Sequence, residues 1–224
     1  MNYVCLLFEM VLIYLLMIIF YRIDKKDSLY LYMGLMSSVL CFALLGTIEV
    51  ISFNVNMGIP VIMGIFISSN VIVHRYGVDE VKRILCTFGV CYFVTSMFMI
   101  LFSCMNRYGL DIGSSSISDL LFRLDLSNIR IMVGGFISIL SMLWIGSGIY
   151  YSVRKNRNVF VMSNMISSLV VAFIESMIFV FMVHLGSFKL IELFGMISVR
   201  YLLEIILGFM GLIPTYILIK IIDK

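Results

Sequence analysis

The chain has 224 residues, 62% hydrophobic and 13% charged, with 16 basic side chains against 13 acidic ones and a net charge of +3. Soluble domains carry roughly 25% charged and 45–50% apolar residues, so a water-soluble globule, a disordered chain and a nucleic-acid binder are poor fits. An integral membrane protein in a lipid bilayer is expected.

A bilayer core about 30 Å thick needs about 20 apolar residues per helix. Runs of that kind lie at about 3–21, 29–53, 58–74, 84–103, 131–151, 161–184 and 199–221. They are continuous rather than alternating, which excludes a barrel and leaves helices as the spanning element. The expected fold is all-α, a polytopic membrane helix bundle of six to seven transmembrane helices in a single domain over 1–224. Between the fourth and fifth spans, Ser116 and Asp119 ahead of Leu120, Leu121 and Leu124 resemble a capping-box start to a short amphipathic surface helix. Residues 188–198 read as a second interfacial helix. Cys5, Cys41, Cys86, Cys91 and Cys104 fall mostly in apolar runs without paired ligand spacing and read as small hydrophobes, so neither a metal nor a cofactor is expected.

Basic residues orient the bundle. Arg22, Lys25 and Lys26 follow the first span, Arg75, Lys82 and Arg83 the third, Arg154, Lys155 and Arg157 the fifth, and Lys220 and Lys224 the last. Only Arg107, Arg123, Arg130, Lys189 and Arg200 fall on the other side, so the positive-inside rule predicts an external N-terminus and a cytoplasmic C-terminus. Met1-Asn2-Tyr3 has no basic n-region, so the first span does not read as a cleavable signal.

A charge inside the hydrocarbon costs roughly 2.5–3.5 kcal/mol on insertion scales, so each one needs a reason. Four carboxylates sit in the spans: Glu9, Glu49 and Glu204 toward the outer side and Glu175 near mid-membrane. Asn164 and Glu175 are eleven residues apart, about 20° in helical phase, with Ser168 on the same face. Ser38 and Glu49 repeat that separation, while Tyr201, Glu204, Gly208 and Gly211 share a face of the last span. Asn70 is a further polar candidate. His74 and His184 fall at span ends, where an interfacial role is the ordinary explanation. Buried carboxylates, serines and glycines are also common packing residues in membranes, so the acidic set alone does not specify a ligand.

Enzyme signatures fail. Trp144-Ile145-Gly146-Ser147-Gly148 lacks the glycine order of an intramembrane serine protease, and no H-E-x-x-H or Walker-type loop occurs. Transport without a cofactor is the better class, and the chain does not read as an enzyme.

Gly58-Ile59-Pro60, Ser68-Ser69-Asn70 and the segment Arg75-Tyr76-Gly77-Val78-Asp79-Glu80-Val81-Lys82-Arg83 form an ordered pattern. It continues through Asn128-Ile129-Arg130, Arg154-Lys155-Asn156-Arg157, Asn164 with Ser167-Ser168, Glu175-Ser176-Met177-Ile178-Phe179 and Pro214-Thr215-Tyr216. In this order, over about 40–220, the chain resembles the queuosine precursor transporter family, also called the vitamin uptake transporter family. Departures from the family pattern are Asn70 in place of its Asp, Val73 and His74 in place of Asn and Glu, and Leu143, Gly146 and Ala172 at further polar positions. Glu175 alone keeps a carboxylate among them.

The resemblance implies uptake of a 7-deazaguanine base, queuine or a queuosine precursor, across the cytoplasmic (inner) membrane of a bacterium. One carboxylate can accept the adjacent N1–H and amino donors of such a base. Glu175 is expected to read that edge, Asn70 and Asn164 the other ring groups, and Trp144 or Tyr150 to stack on the ring, with Ser168, Glu204 and Glu49 lining the same cavity. Two alternatives stay open: a carrier for another small vitamin-like or cationic solute, and a substrate-capture subunit docked on an energising partner. Homo-oligomerisation is left open as well.

Overall fold

The computed structural model describes residues 2–50, 53–107, 126–157 and 160–222. Helix α1 (Asn2–Ala43) is too long for one crossing: at about 1.5 Å per residue it would run roughly twice the hydrocarbon thickness. It breaks at Asp24 and Lys25, whose φ/ψ values of −151/56° and 25/−91° are not helical. The chain folds back there. The Tyr32 hydroxyl donates to the Ile13 carbonyl at 3.2 Å, and the Phe20 and Tyr32 rings lie 6.0 Å apart. Charged Arg22 to Asp27 therefore forms the hairpin tip between two antiparallel limbs, since these side chains are cheapest outside the hydrocarbon.

The second limb ends at Ala43, ten residues earlier than its apolar run suggests. After Gly46 the β-branched Thr47, Ile48 and Val50 enter an antiparallel hairpin, β1 (Thr47–Val50) with β2 (Phe53–Asn56), which pairs Glu49 with Asn54. Glu49 thus stands in a strand and not on a membrane helix with Ser38; its side chain lies outside the described residues.

Helix α2 (Ile59–Tyr76) begins with Pro60 in its first turn and stops at Gly77, whose φ of 95° suits glycine. A short 3₁₀ turn (Val78–Glu80) leads into α3 (Val81–Arg107). Then follow α4 (Leu126–Arg157), α5 (Phe160–His184), α6 (Leu190–Met210) and α7 (Leu212–Ile222). The surface helix expected near Ser116 lies outside the described residues. Residues 188–198 are not a separate interfacial helix: α6 starts at Leu190, the Lys189 amide donating to Glu192 Oε2 at 2.9 Å, and continues into the span.

Among the described residues six stretches are long and apolar enough to cross a membrane, and the first, Leu6–Ala43, contains both limbs of α1. Among the described residues the architecture is a polytopic all-α membrane bundle with one small hairpin between α1 and α2. Helix α2 is its axis, buried from Ile59 to Val73. Small residues bring neighbours close: a Cβ on Gly146 of α4 would stand 2.5 Å from the Phe66 ring, and one on Gly211 would collide with Ile67 and Tyr14.

Three basic segments meet at one end. Lys26 Nζ lies 2.6 Å from Glu80 Oε1, the Tyr30 hydroxyl donates to Glu80 Oε2 at 2.5 Å, and Arg83 stacks 4.6 Å over the Tyr30 ring. The Arg154 guanidinium donates to the His74 carbonyl at the same end.

Candidate functional site

Two polar centres lie inside the bundle, both on the face of α5 that carries Asn164, Ser168 and Glu175. The first is ionic. Arg200, one turn before Glu204 on α6, grips Glu175 with two parallel bonds, Nη2 to Oε1 at 2.8 Å and Nε to Oε2 at 3.0 Å. The Ser138 hydroxyl of α4 adds a third donor to Glu175 Oε1 at 3.0 Å. The guanidinium lies 3.9 Å over the Phe179 ring, and its Nη1 reaches Asn56 Oδ1 of the hairpin at 3.5 Å. Asn56 is itself fixed by donation to the Leu44 carbonyl at 2.6 Å. Glu175, Arg200 and Glu204 are all buried. Such a fork satisfies both charge and geometry, as burial requires.

Glu204 differs from Glu175. Its Oε1 lies 3.1 Å from Arg200 Nε, but that nitrogen has one hydrogen and directs it to Glu175. Neither Glu204 oxygen makes a hydrogen bond, and the buried Ser176 hydroxyl beside it is also unpaired. One cation therefore faces two carboxylates, of which one accepts three hydrogen bonds and the other none.

The second centre joins α2 to α5. Asn70 Nδ2 donates to Asn164 Oδ1 at 2.7 Å, leaving Asn70 Oδ1 and Asn164 Nδ2 buried without a partner. Turning both amides over exchanges the roles and still leaves one acceptor and one donor. Asn164 lies eleven residues before Glu175, about 16 Å along the helix. Between the centres Ser168 is buried with an unpaired hydroxyl, close to Gly208 of α6, and lines a narrow cleft with Met165 and Ile205.

The geometry gathers Glu175, Glu204, Asn70, Asn164 and Ser168 within the bundle and leaves other candidates elsewhere. Trp144 is 67% exposed on the outer surface. Tyr150 is buried and engaged, its hydroxyl 2.7 Å from His74 Nδ1 and its ring packed on Phe160. Glu9 is half-buried on the first limb of α1, and His184 is half-buried at the end of α5 against Phe188. Glu175 already accepts three bonds, from Arg200 and Ser138, which leaves one of its roughly four acceptor sites open. Arg200 corrects the sequence reading most: it stands in mid-helix within the bundle and not among the outer loop charges. Its signal was present, because Arg200 and Glu204 are four residues apart in an otherwise apolar run. Ser138 and Asn56 carried no comparable signal.

Residues 56–219 match the family model described as "Putative vitamin uptake transporter". The chain belongs to this family. No curated protein and no solved structure matches it. The matched region contains every side chain of both polar centres, whereas α1 precedes it. Membership and the six membrane-length apolar stretches among the described residues make this a multi-pass member of a transporter family, whose setting is the lipid bilayer and whose substrate is a small molecule.

Proposed function

We propose that this chain imports a 7-deazaguanine base, queuine or an earlier queuosine precursor, across a bacterial cytoplasmic membrane, with its N-terminus outside and its C-terminus in the cytoplasm. The observation that carries this reading is the buried Asn70–Asn164 pair, which presents one free acceptor beside one free donor. A guanine-like ring offers the complement, N1–H beside the C6 carbonyl. Leaving two such amide atoms unmatched costs about 1–3 kcal/mol each, and a ligand that pairs with both recovers it. Ser168 extends the polar lining toward α6, and parting of α5 from α6 along the Ser168–Gly208 contact opens the route. Membership in a vitamin uptake family supports transport, and the three basic segments gathered at one end support the orientation.

The test is genetic. In a bacterium lacking both queuosine synthesis and its own transporter, this gene should restore queuosine in tRNA when a precursor is supplied, and Asn70→Leu at equal membrane abundance should not. No restoration with any precursor, despite expression, would refute the substrate class.

A further inference from the structure

The unsaturated carboxylate points to an energy source. We propose that Glu204 binds and releases a proton and that this proton drives uptake; the proposal rests on the transport reading but not on the identity of the base.

Charge and hydrogen-bond accounting lead to it. Glu175 accepts three bonds, two of them from the guanidinium. Glu204 accepts none, although it is fully buried. With both carboxylates ionised the cluster carries one excess negative charge inside the bundle, a costly arrangement in a membrane. One proton removes that charge. Glu204 is the member that can take it without breaking a bond, and the neighbouring Glu175 carboxylate is placed to accept from the new O–H.

The charged and titratable groups around it fit this role. Its own helix supplies Arg200, α5 supplies Glu175 and, further along, His184, and α1 supplies Tyr14, whose hydroxyl donates to the Leu207 carbonyl at 3.1 Å. From α2 the neighbouring turns bring apolar Met63 and Ile67 toward Gly208 and Gly211. Among the described residues no three His, Cys, Asp or Glu side chains converge, too few ligands for a divalent cation. Glu204 also lies one turn from Gly208, which abuts Ser168 in the cleft between α5 and α6. Loss of the proton restores repulsion between α6 and Glu175 on α5, so protonation and helix separation are linked.

Purified full-length protein in liposomes provides the test. Infrared spectra of wild type should show the carbonyl stretch of a protonated carboxyl that disappears as pH rises; Glu204→Gln should lack it and Glu204→Asp should shift it. No such band in wild type at any pH, or an unchanged band in Glu204→Gln, overturns the proposal. With radiolabelled queuine and an alkaline interior, wild type should accumulate about tenfold per unit of pH gradient for one proton per solute, and Glu204→Gln should only equalise the two sides. Accumulation indifferent to the pH gradient, or driven by a sodium gradient alone, also overturns it. If wild type moves no queuine at all, the substrate assignment fails and the infrared titration alone decides the proton site.

Discussion

Helices α2 and α3 follow one another in the chain and are nearly opposite in environment. In α2, 83% of the membrane-length apolar stretch is buried; in α3 the share is 22%, yet that stretch of α3 is the more apolar of the two. Helix α3 turns Val90, Phe93, Val94, Phe98 and Leu101 outward, while α2 buries Ser68, Ser69 and Asn70. A soluble protein would sort these helices the other way. In lipid, apolar surface gains little by leaving the tails, so packing and polar pairing decide which helix becomes the axis.

Substitutions graded from inside to outside test that contrast. Arg200→Met should have the largest effect, about 3–5 kcal/mol, because it strands two buried carboxylates; thermal unfolding of the detergent-solubilised protein would measure it. Gly146→Leu should follow at about 1–3 kcal/mol through collision with Phe66, read by the same assay. Asn70→Leu removes the α2–α5 amide bond and should cost about 1 kcal/mol while abolishing uptake, so its uptake loss must exceed its stability loss. Glu80→Gln weakens a partly exposed ion pair at the bundle end and should stay within about 1 kcal/mol. Phe93→Leu on the lipid face of α3 should fall within about 0.5 kcal/mol. A cost for Phe93→Leu equal to that of Asn70→Leu would break the contrast.

Much of the fold was legible because span length and charge placement follow from bilayer thickness. The reversal between the limbs of α1 coincides with the charges from Arg22 to Asp27, and Pro60 and Gly77 mark the ends of α2. The hairpin was hidden, since Ile48, Val50 and Phe53 are as apolar as a membrane helix and differ only in their β-branched and aromatic shape. Within the site, helical phase placed Asn164, Ser168 and Glu175 on one face. It could not say what faced them. Glu175 pairs with Arg200 across 25 residues, Asn70 with Asn164 across 94, and Arg200 reaches Asn56 across 144.

By itself the sequence determined the membrane class, a bundle of six to seven spans and the segments in which most basic residues gather, because each depends on local apolar length and on the cost of charge in hydrocarbon. Only the tertiary structure decided which of the buried carboxylates is satisfied. Glu175 and Glu204 look alike along the chain. The single hydrogen on Arg200 Nε points to one of them, and the other is left to bind a proton.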